Sequence, residues 1–146
     1  KICGLMSRQD LEYALAAGAD AVGFVVEIDS SRHCLSAAAA ADLIRQVPIY
    51  SKSVAVINPK DVGEAIRLAR ETGAEVLQVH GSLSPGELAE LKGRISQKII
   101  AAVAAQPGEK RPGDMQLWRM PYFWTAWWVA LWVEQGWSTT GRSARR

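Results

Sequence analysis

The stretch TGAEVLQVH, residues 72–80, echoes AGADAVGFV at residues 17–25. Both place Gly, Ala and an acid between a segment of helical periodicity and a short apolar run. Gly18 and Gly73 read as helix stops, because glycine enters the left-handed conformation without a Cβ penalty. The apolar runs behind them are too short for helices and rich in valine, so they read as buried strands. A junction that recurs in this way marks repeated strand–helix units. Such units imply parallel strands joined by right-handed crossovers.

Working outward, the same alternation covers the first 105 residues. KIC (1–3) is the end of a short strand, and SRQDLEYALAAG (7–18) is a helix carrying Leu11 and Leu15 at helical spacing. DAVGFVV (20–26) is a strand, and SAAAAADLIRQV (36–47) is a helix with Ser36 as N-cap and Pro48 beyond its end. SKSVAVI (51–57) is the next strand, and PKDVGEAIRLARETG (59–73) is a helix with Pro59 expected near its first position. EVLQVHG (75–81), SPGELAELKGR (84–94) and QKIIAAVA (97–104) follow as strand, helix and fifth strand. Two architectures meet this pattern, a (β/α)8 barrel and an open doubly wound sheet. No G-x-G-x-x-G turn follows the first strand, which counts against a dinucleotide-binding sheet.

The bulk properties narrow the class. A chain of 146 residues has room for one domain with a real core, and 49% hydrophobic with 22% charged residues fits a globular protein. A net charge of +2 gives no argument for nucleic acid, since Arg142, Arg145 and Arg146 crowd the excess into the tail. Two cysteines, Cys3 and Cys34, without a signal peptide or dense spacing, read as reduced thiols of a cytoplasmic protein. The chain opens at Lys1, without methionine and already in strand pattern, which implies a few residues before it.

In parallel α/β folds the chemistry sits at the C-terminal ends of the strands. Those ends hold Cys3, the loop EIDSSRH (27–33), Asn58 and QVHG (78–81). Strand alternation puts Lys1 and Cys3 on one side, roughly 6.6 Å apart along the strand, so an ammonium stands near a thiol. An ammonium in that position favours the thiolate, whose unperturbed pKa is about 8.5. Gln78 and His80 share one face of their strand while Leu77 and Val79 take the other, as a lumen and a helix layer require. Each residue also has a plainer reading. A strand-end cysteine is commonly a small buried hydrophobe, His80 a satisfied structural histidine, Arg32 a solvated loop charge and Cys34 structural or incidental.

KICGL (1–5), AGADAVGFVVEIDSSRHCLS (17–36), VAVINPKDVGEAIRLARETGAEVLQVHG (54–81) and KIIAAV (98–103) together resemble phosphoribosylanthranilate isomerase, a (β/α)8 enzyme of tryptophan biosynthesis. The combination of an opening K-I-C-G with a later Q-V-H-G, in order and at the right spacing, is far more specific than either motif. The resemblance selects the barrel, with about five βα units in residues 1–105 and an aberrant tail in residues 106–146. It implies an intramolecular oxidoreductase of the aldose–ketose type. The reaction is the Amadori rearrangement of N-(5-phosphoribosyl)anthranilate to 1-(2-carboxyphenylamino)-1-deoxyribulose 5-phosphate. Carried over, Cys3 would be the general base. Arg32 would match the arginine that pairs with the anthranilate carboxylate, a bidentate task suited to guanidinium. His80 would line the site, with Lys1 and Gln78 supporting it from the lumen. No cofactor, metal, nucleic acid or membrane is implied; the partner is a small phosphorylated substrate. Ser31 stands where the family has Pro and His33 where it has Tyr, which bears on the geometry of that loop. A different barrel acting on phosphorylated sugars is the neighbouring alternative, and the KICG cysteine speaks against it.

The resemblance also says what should follow the fifth strand: a strand ending Leu-Leu-Asp, whose Asp is the general acid, and glycine loops that cradle the phosphate. Neither occurs in the chain; Asp114 is the sole acid between Lys110 and Arg119 and lacks the context. Instead QPGEKRPGD (106–114) leads to PYFWTAWWVALWVEQGW (121–137), and all six tryptophans lie from Trp118 onward. One reading makes the chain a half-barrel fragment with a membrane- or partner-binding tail. Residues 117–133 carry one charge, Arg119, but are short of the roughly 20 residues of a span and contain Pro121. The genetic code offers another reading, because tryptophan has one codon, TGG. Triplets that start on the third base of each codon are forced to Leu at Phe123–Trp124 and Asp at Trp124–Thr125. They are forced to Val at Trp127–Trp128 and to Gly at Trp128–Val129 and Trp132–Val133. Leu-Asp followed by glycines is the missing strand end and loop. The expectation is therefore a frame change after about residue 105, and a chain that as written is defective. Five strands leave two open edges and an inner face bared to water, and Cys3 lacks its acid.

Overall fold

The computed structural model describes residues 1–81 and 83–102. The Pro/Gly linker, the tryptophan-rich run and the boundary expected at residue 105 lie outside the described residues, as do both readings of the tail. Residues Lys1–Ala102 form one compact unit.

Short polar side chains start each of the four helices among the described residues. The Ser7 hydroxyl accepts the Asp10 N–H at 3.1 Å and the Asp10 carboxylate accepts the Ser7 N–H at 3.0 Å, opening α1 (Arg8–Ala16). Ser36 caps α2 (Ala37–Ile44). Asp61 caps α3 (Val62–Thr72), its carboxylate accepting the Glu64 N–H at 2.8 Å. Ser84 and Glu87 form a second capping box at α4 (Pro85–Arg94), with Pro85 in the first turn. The helix expected to begin beside Pro59 therefore begins later. Asp61 offers the orphan N–H groups an acceptor, which proline does not. Gly73, at φ +64°, closes α3 in the left-handed conformation.

The strands are β1 (Ile2–Cys3), β2 (Ala21–Val26), β3 (Cys34–Leu35), β4 (Lys52–Ile57), β5 (Val76–Val79) and β6 (Lys98–Ala101). The pairing order is β1-β2-β4-β5-β6 and every pair is parallel. Each strand pairs with the next long strand in the chain, always moving one way. That is barrel winding; a doubly wound sheet reverses direction at its switch point. The two-residue β3 has no counterpart in the sequence pattern. It pairs Cys34 with Val25 and Leu35 with Val26 on β2, which gives Cys34 a place in the sheet. Cys3 and Cys34 are both free thiols.

One face of the sheet packs on the helices. Phe24, Ala55, Ile57, Leu77 and Val79 join Leu11, Leu68 and Leu91 in a single apolar cluster, most of it fully buried. The opposite face carries Val54 and Val56, each 2% exposed, and Gln78 at 1%. The inner face of the central strands is thus covered rather than bared to water, contrary to the expectation from strand count. The sheet is also curved: the ammonium of Lys1, just ahead of β1, donates to the Gln78 carboxamide oxygen on β5. Three strand spacings of about 4.8 Å would hold those strands about 14 Å apart on a flat sheet. Side chains that meet across two intervening strands require a curled sheet with this face concave.

Candidate active site

The site grows from the C-terminal edge of the sheet. Cys3 pairs in register with Gly23 on β2, and a Cβ placed on Gly23 would lie 2.6 Å from the Cys3 sulfur. Glycine inside a strand marks such a close approach, and here it makes the space the thiol occupies. Lys1 stands on the same side of β1. Residue 1 is exposed as a whole, yet its ammonium reaches the buried Gln78 carboxamide on the concave face. Burial pushes that ammonium below its ordinary value near 10.5, while the Cys3 sulfur, as charge and hydrogen-bond partner, draws it back up.

The same ammonium holds Gln78, and the Gln78 amide nitrogen lies 2.8 Å from His80 Nε2. Cys3, Lys1, Gln78 and His80 therefore form one connected polar line across the concave face. His80 is fixed from its backbone too, its N–H donating to the Ile57 carbonyl at 2.8 Å. Beside it Gly81 has φ +87°, and a Cβ there would collide with the Asn58 carboxamide. Only glycine lets the end of β5 turn under Asn58.

The loop after β2 is built differently. Glu27 sits at φ +51°, unusual for a residue with a side chain. It is held there by its N–H on the Leu35 carbonyl at 3.0 Å and by its carboxylate on Arg67 of α3 at 2.7 Å. Hydrogen bonding to Arg67 keeps that carboxyl below its ordinary 4.5. Ser31 donates its N–H to Ile28 at 2.9 Å, and its hydroxyl accepts the His33 N–H at 3.2 Å. A proline could make neither bond, so the substitution at Ser31 supplies the turn by hydrogen bonding instead of by a fixed φ. Arg32 is exposed, and its Nε donates to His33 Nε2 at 3.1 Å. The His33 ring lies over Gly4, where an added Cβ would come within 3.3 Å of it. His33 Nδ1 is buried and has no hydrogen-bond partner among the described residues.

Arg32 thus reaches the Cys3 end of β1 through His33 and Gly4, while His80 reaches it through Gln78 and Lys1. Gly23 and Gly4 are the contributors that side-chain reasoning passed over, and Gly23 had a signal, a glycine inside an otherwise apolar strand. Among the described residues, no cluster of His, Cys, Asp and Glu could hold a metal ion. Among them, too, no helix is long and apolar enough to cross a membrane.

The model of the N-(5′-phosphoribosyl)anthranilate isomerase family matches residues 1–114. The chain belongs to the phosphoribosylanthranilate isomerase family. An isomerase of this name from Methanothrix thermoacetophila is 54% identical over 111 residues, 76% of this chain and 52% of its own length. The crystal structure of the Thermus thermophilus isomerase superposes with a TM-score of 0.65 at 30% identity, covering 75% of this chain and 53% of that one. A phosphoribosylanthranilate isomerase solved in complex with reduced 1-(o-carboxyphenylamino)-1-deoxyribulose 5-phosphate has a TM-score of 0.64 at 24% identity, covering 72% and 53%. The chain spans about half the length of the curated relatives it matches. Among the described residues, β1, β2, β4, β5 and β6 form part of a (β/α)8 barrel of this family, and the match runs past β6 to residue 114.

Proposed function

We propose that the chain carries the base-bearing half of a phosphoribosylanthranilate isomerase site, acting in the cytoplasm on a small phosphorylated substrate without a cofactor. The observation that carries this is the Cys3 thiol held beside the Lys1 ammonium at the end of β1 in a chain of that family. In the rearrangement an acid protonates the ribose ring oxygen and the ring opens to an imine. A base then takes the proton from the neighbouring carbon, and the resulting enolamine becomes the ketone. Cys3 is the base, its sulfur standing beside the Lys1 ammonium at the end of β1. Arg32 offers its Nη1 and Nη2 edge to the anthranilate carboxylate, because Nε is engaged by His33. His80 lines the opposite side. The reduced ketose phosphate bound by the solved isomerase is the kind of ligand such a half-site fits.

The acid and the phosphate loops belong to the second half of the barrel. The family match ends at residue 114, and the off-frame reading that restores Leu-Asp and the glycines is forced from Phe123 onward. We place the frame change between these points, later than the composition shift at residue 105. Independent sequencing of that segment tests it: an uninterrupted frame there overturns the frame reading. Function is tested by complementation of an auxotroph for tryptophan lacking this isomerase. The restored frame should rescue growth and the 146-residue chain should not. Rescue by the chain as written, or failure of a soluble restored-frame protein, counts against the proposal.

A further inference from the structure

We propose that Gln78 is a positioning residue which fixes the proton of His80 on Nδ1 and holds the Lys1 ammonium beside Cys3. The proposal rests on the reading of that half-site and adds a role for a residue that touches no reacting atom.

An ammonium has three N–H donors and no lone pair, so the end of the amide facing Lys1 must be the oxygen. The amide is planar, and its NH2 end is therefore committed to the other side. There it lies 2.8 Å from His80 Nε2. An NH2 only donates, so Nε2 must be the acceptor, and the proton of a neutral imidazole then sits on Nδ1. Turning the amide over would point NH2 at the ammonium and lose that bond, and its oxygen would accept from His80 only with the imidazole proton moved to Nε2. Gln78 is 1% exposed, so no water replaces what the turned amide would lose. One buried carboxamide thus couples two groups that the strands alone leave independent. Lys1 sets the amide, and the amide sets the imidazole. In the other direction, Gln78 keeps a flexible lysine in the concave face, within reach of the Cys3 sulfur.

The experiment uses the 146-residue chain labelled with 15N-histidine, which contains only His33 and His80. Long-range 1H–15N spectra report which ring nitrogen bears the proton, and His33→Gln assigns the signals. The parent should show His80 protonated on Nδ1. Gln78→Glu should keep the ion pair with Lys1 but accept from His80, moving the proton to Nε2. Gln78→Met provides neither partner. In that variant, iodoacetamide alkylation of Cys3 should slow about tenfold near neutral pH, counted by peptide mass apart from Cys34. Circular dichroism reports whether each variant folds. A parent protonated on Nε2, a Gln78→Glu variant with no change of nitrogen, or a folded Gln78→Met alkylated at the parent rate would each overturn the proposal. Should Gln78→Met fail to fold, the parent and Gln78→Glu spectra still decide. None of these measurements uses turnover, so a failed complementation sinks the function reading without touching this one.

Discussion

Leu77 and Gln78 are neighbours in sequence and equally buried, yet they lie on opposite faces of β5. Leu77 and Val79 enter the apolar cluster under the helices, where close packing with Leu68 and Leu91 holds the sheet to its outer layer. Gln78 and His80 belong to the concave face, where burial is paired with hydrogen bonds and an ammonium. The comparison teaches that one strand answers two demands, and that its period of two keeps them apart. The outer face should control stability and the inner face reactivity.

The largest effect tests the inner face. Cys3→Ala in the restored-frame protein should lower kcat by about 10²–10⁴, the usual contribution of a positioned base. Its urea midpoint should barely move; a collapse of stability with it would merge the two faces. The outer face is challenged by Leu77→Ala, which should cost about 2–5 kcal/mol in urea unfolding by leaving a cavity in the cluster. The alkylation rate of Cys3 in the molecules that remain folded should be unchanged. Gly23→Ala sharpens the boundary, since its Cβ would lie 2.6 Å from the Cys3 sulfur. It should cost about 1–3 kcal/mol through overpacking and shift the Cys3 alkylation rate, whereas an outer-face change of that size would not.

The smallest effect belongs to the loop after β2. Arg67 holds the Glu27 carboxyl below its ordinary 4.5 in the folded chain. That contribution is present above pH 4.5 and is lost as pH falls through the lower folded value. Asp10, Glu75 and Glu87 shift in the same direction, so the parent Tm should fall on acidification for several reasons at once. Arg67→Met removes the Glu27 pair, together with those to Glu64 and Glu71, and leaves Asp10, Glu75 and Glu87 as they are, so its Tm should fall less steeply below pH 4.5. Parallel curves for parent and variant would show that the ion pair, exposed to solvent on both sides, contributes nothing measurable.

Much of this was legible beforehand, and the failures have physical causes. Ser36, the Ser84–Pro85 start and the Gly73 stop were readable because caps act within one turn of the backbone. Pro59 misled because proline marks a helix start only when no better acceptor follows, and Asp61 follows. β3 went unread because two residues carry no periodicity; only the proximity of β2 makes Cys34–Leu35 a strand. The expected bare inner face counted strands, whereas Val54, Val56 and Gln78 are buried in the folded chain. Ser31 and His33 were visible as departures from the family, yet their bonds depend on a turn that spacing does not predict.

By itself the sequence determined the order of strands and helices, the face each strand residue takes, and the family. These follow from a period of two, a period of 3.6 and local capping. Which residues meet was decided only in three dimensions. Lys1 and Gln78 stand 77 positions apart, on strands separated by two others. Their contact exists because the sheet curls, and Cys3 has room because the parallel register sets Gly23 opposite it. Register and curvature are sums over many pairings, so no single stretch of the chain records them.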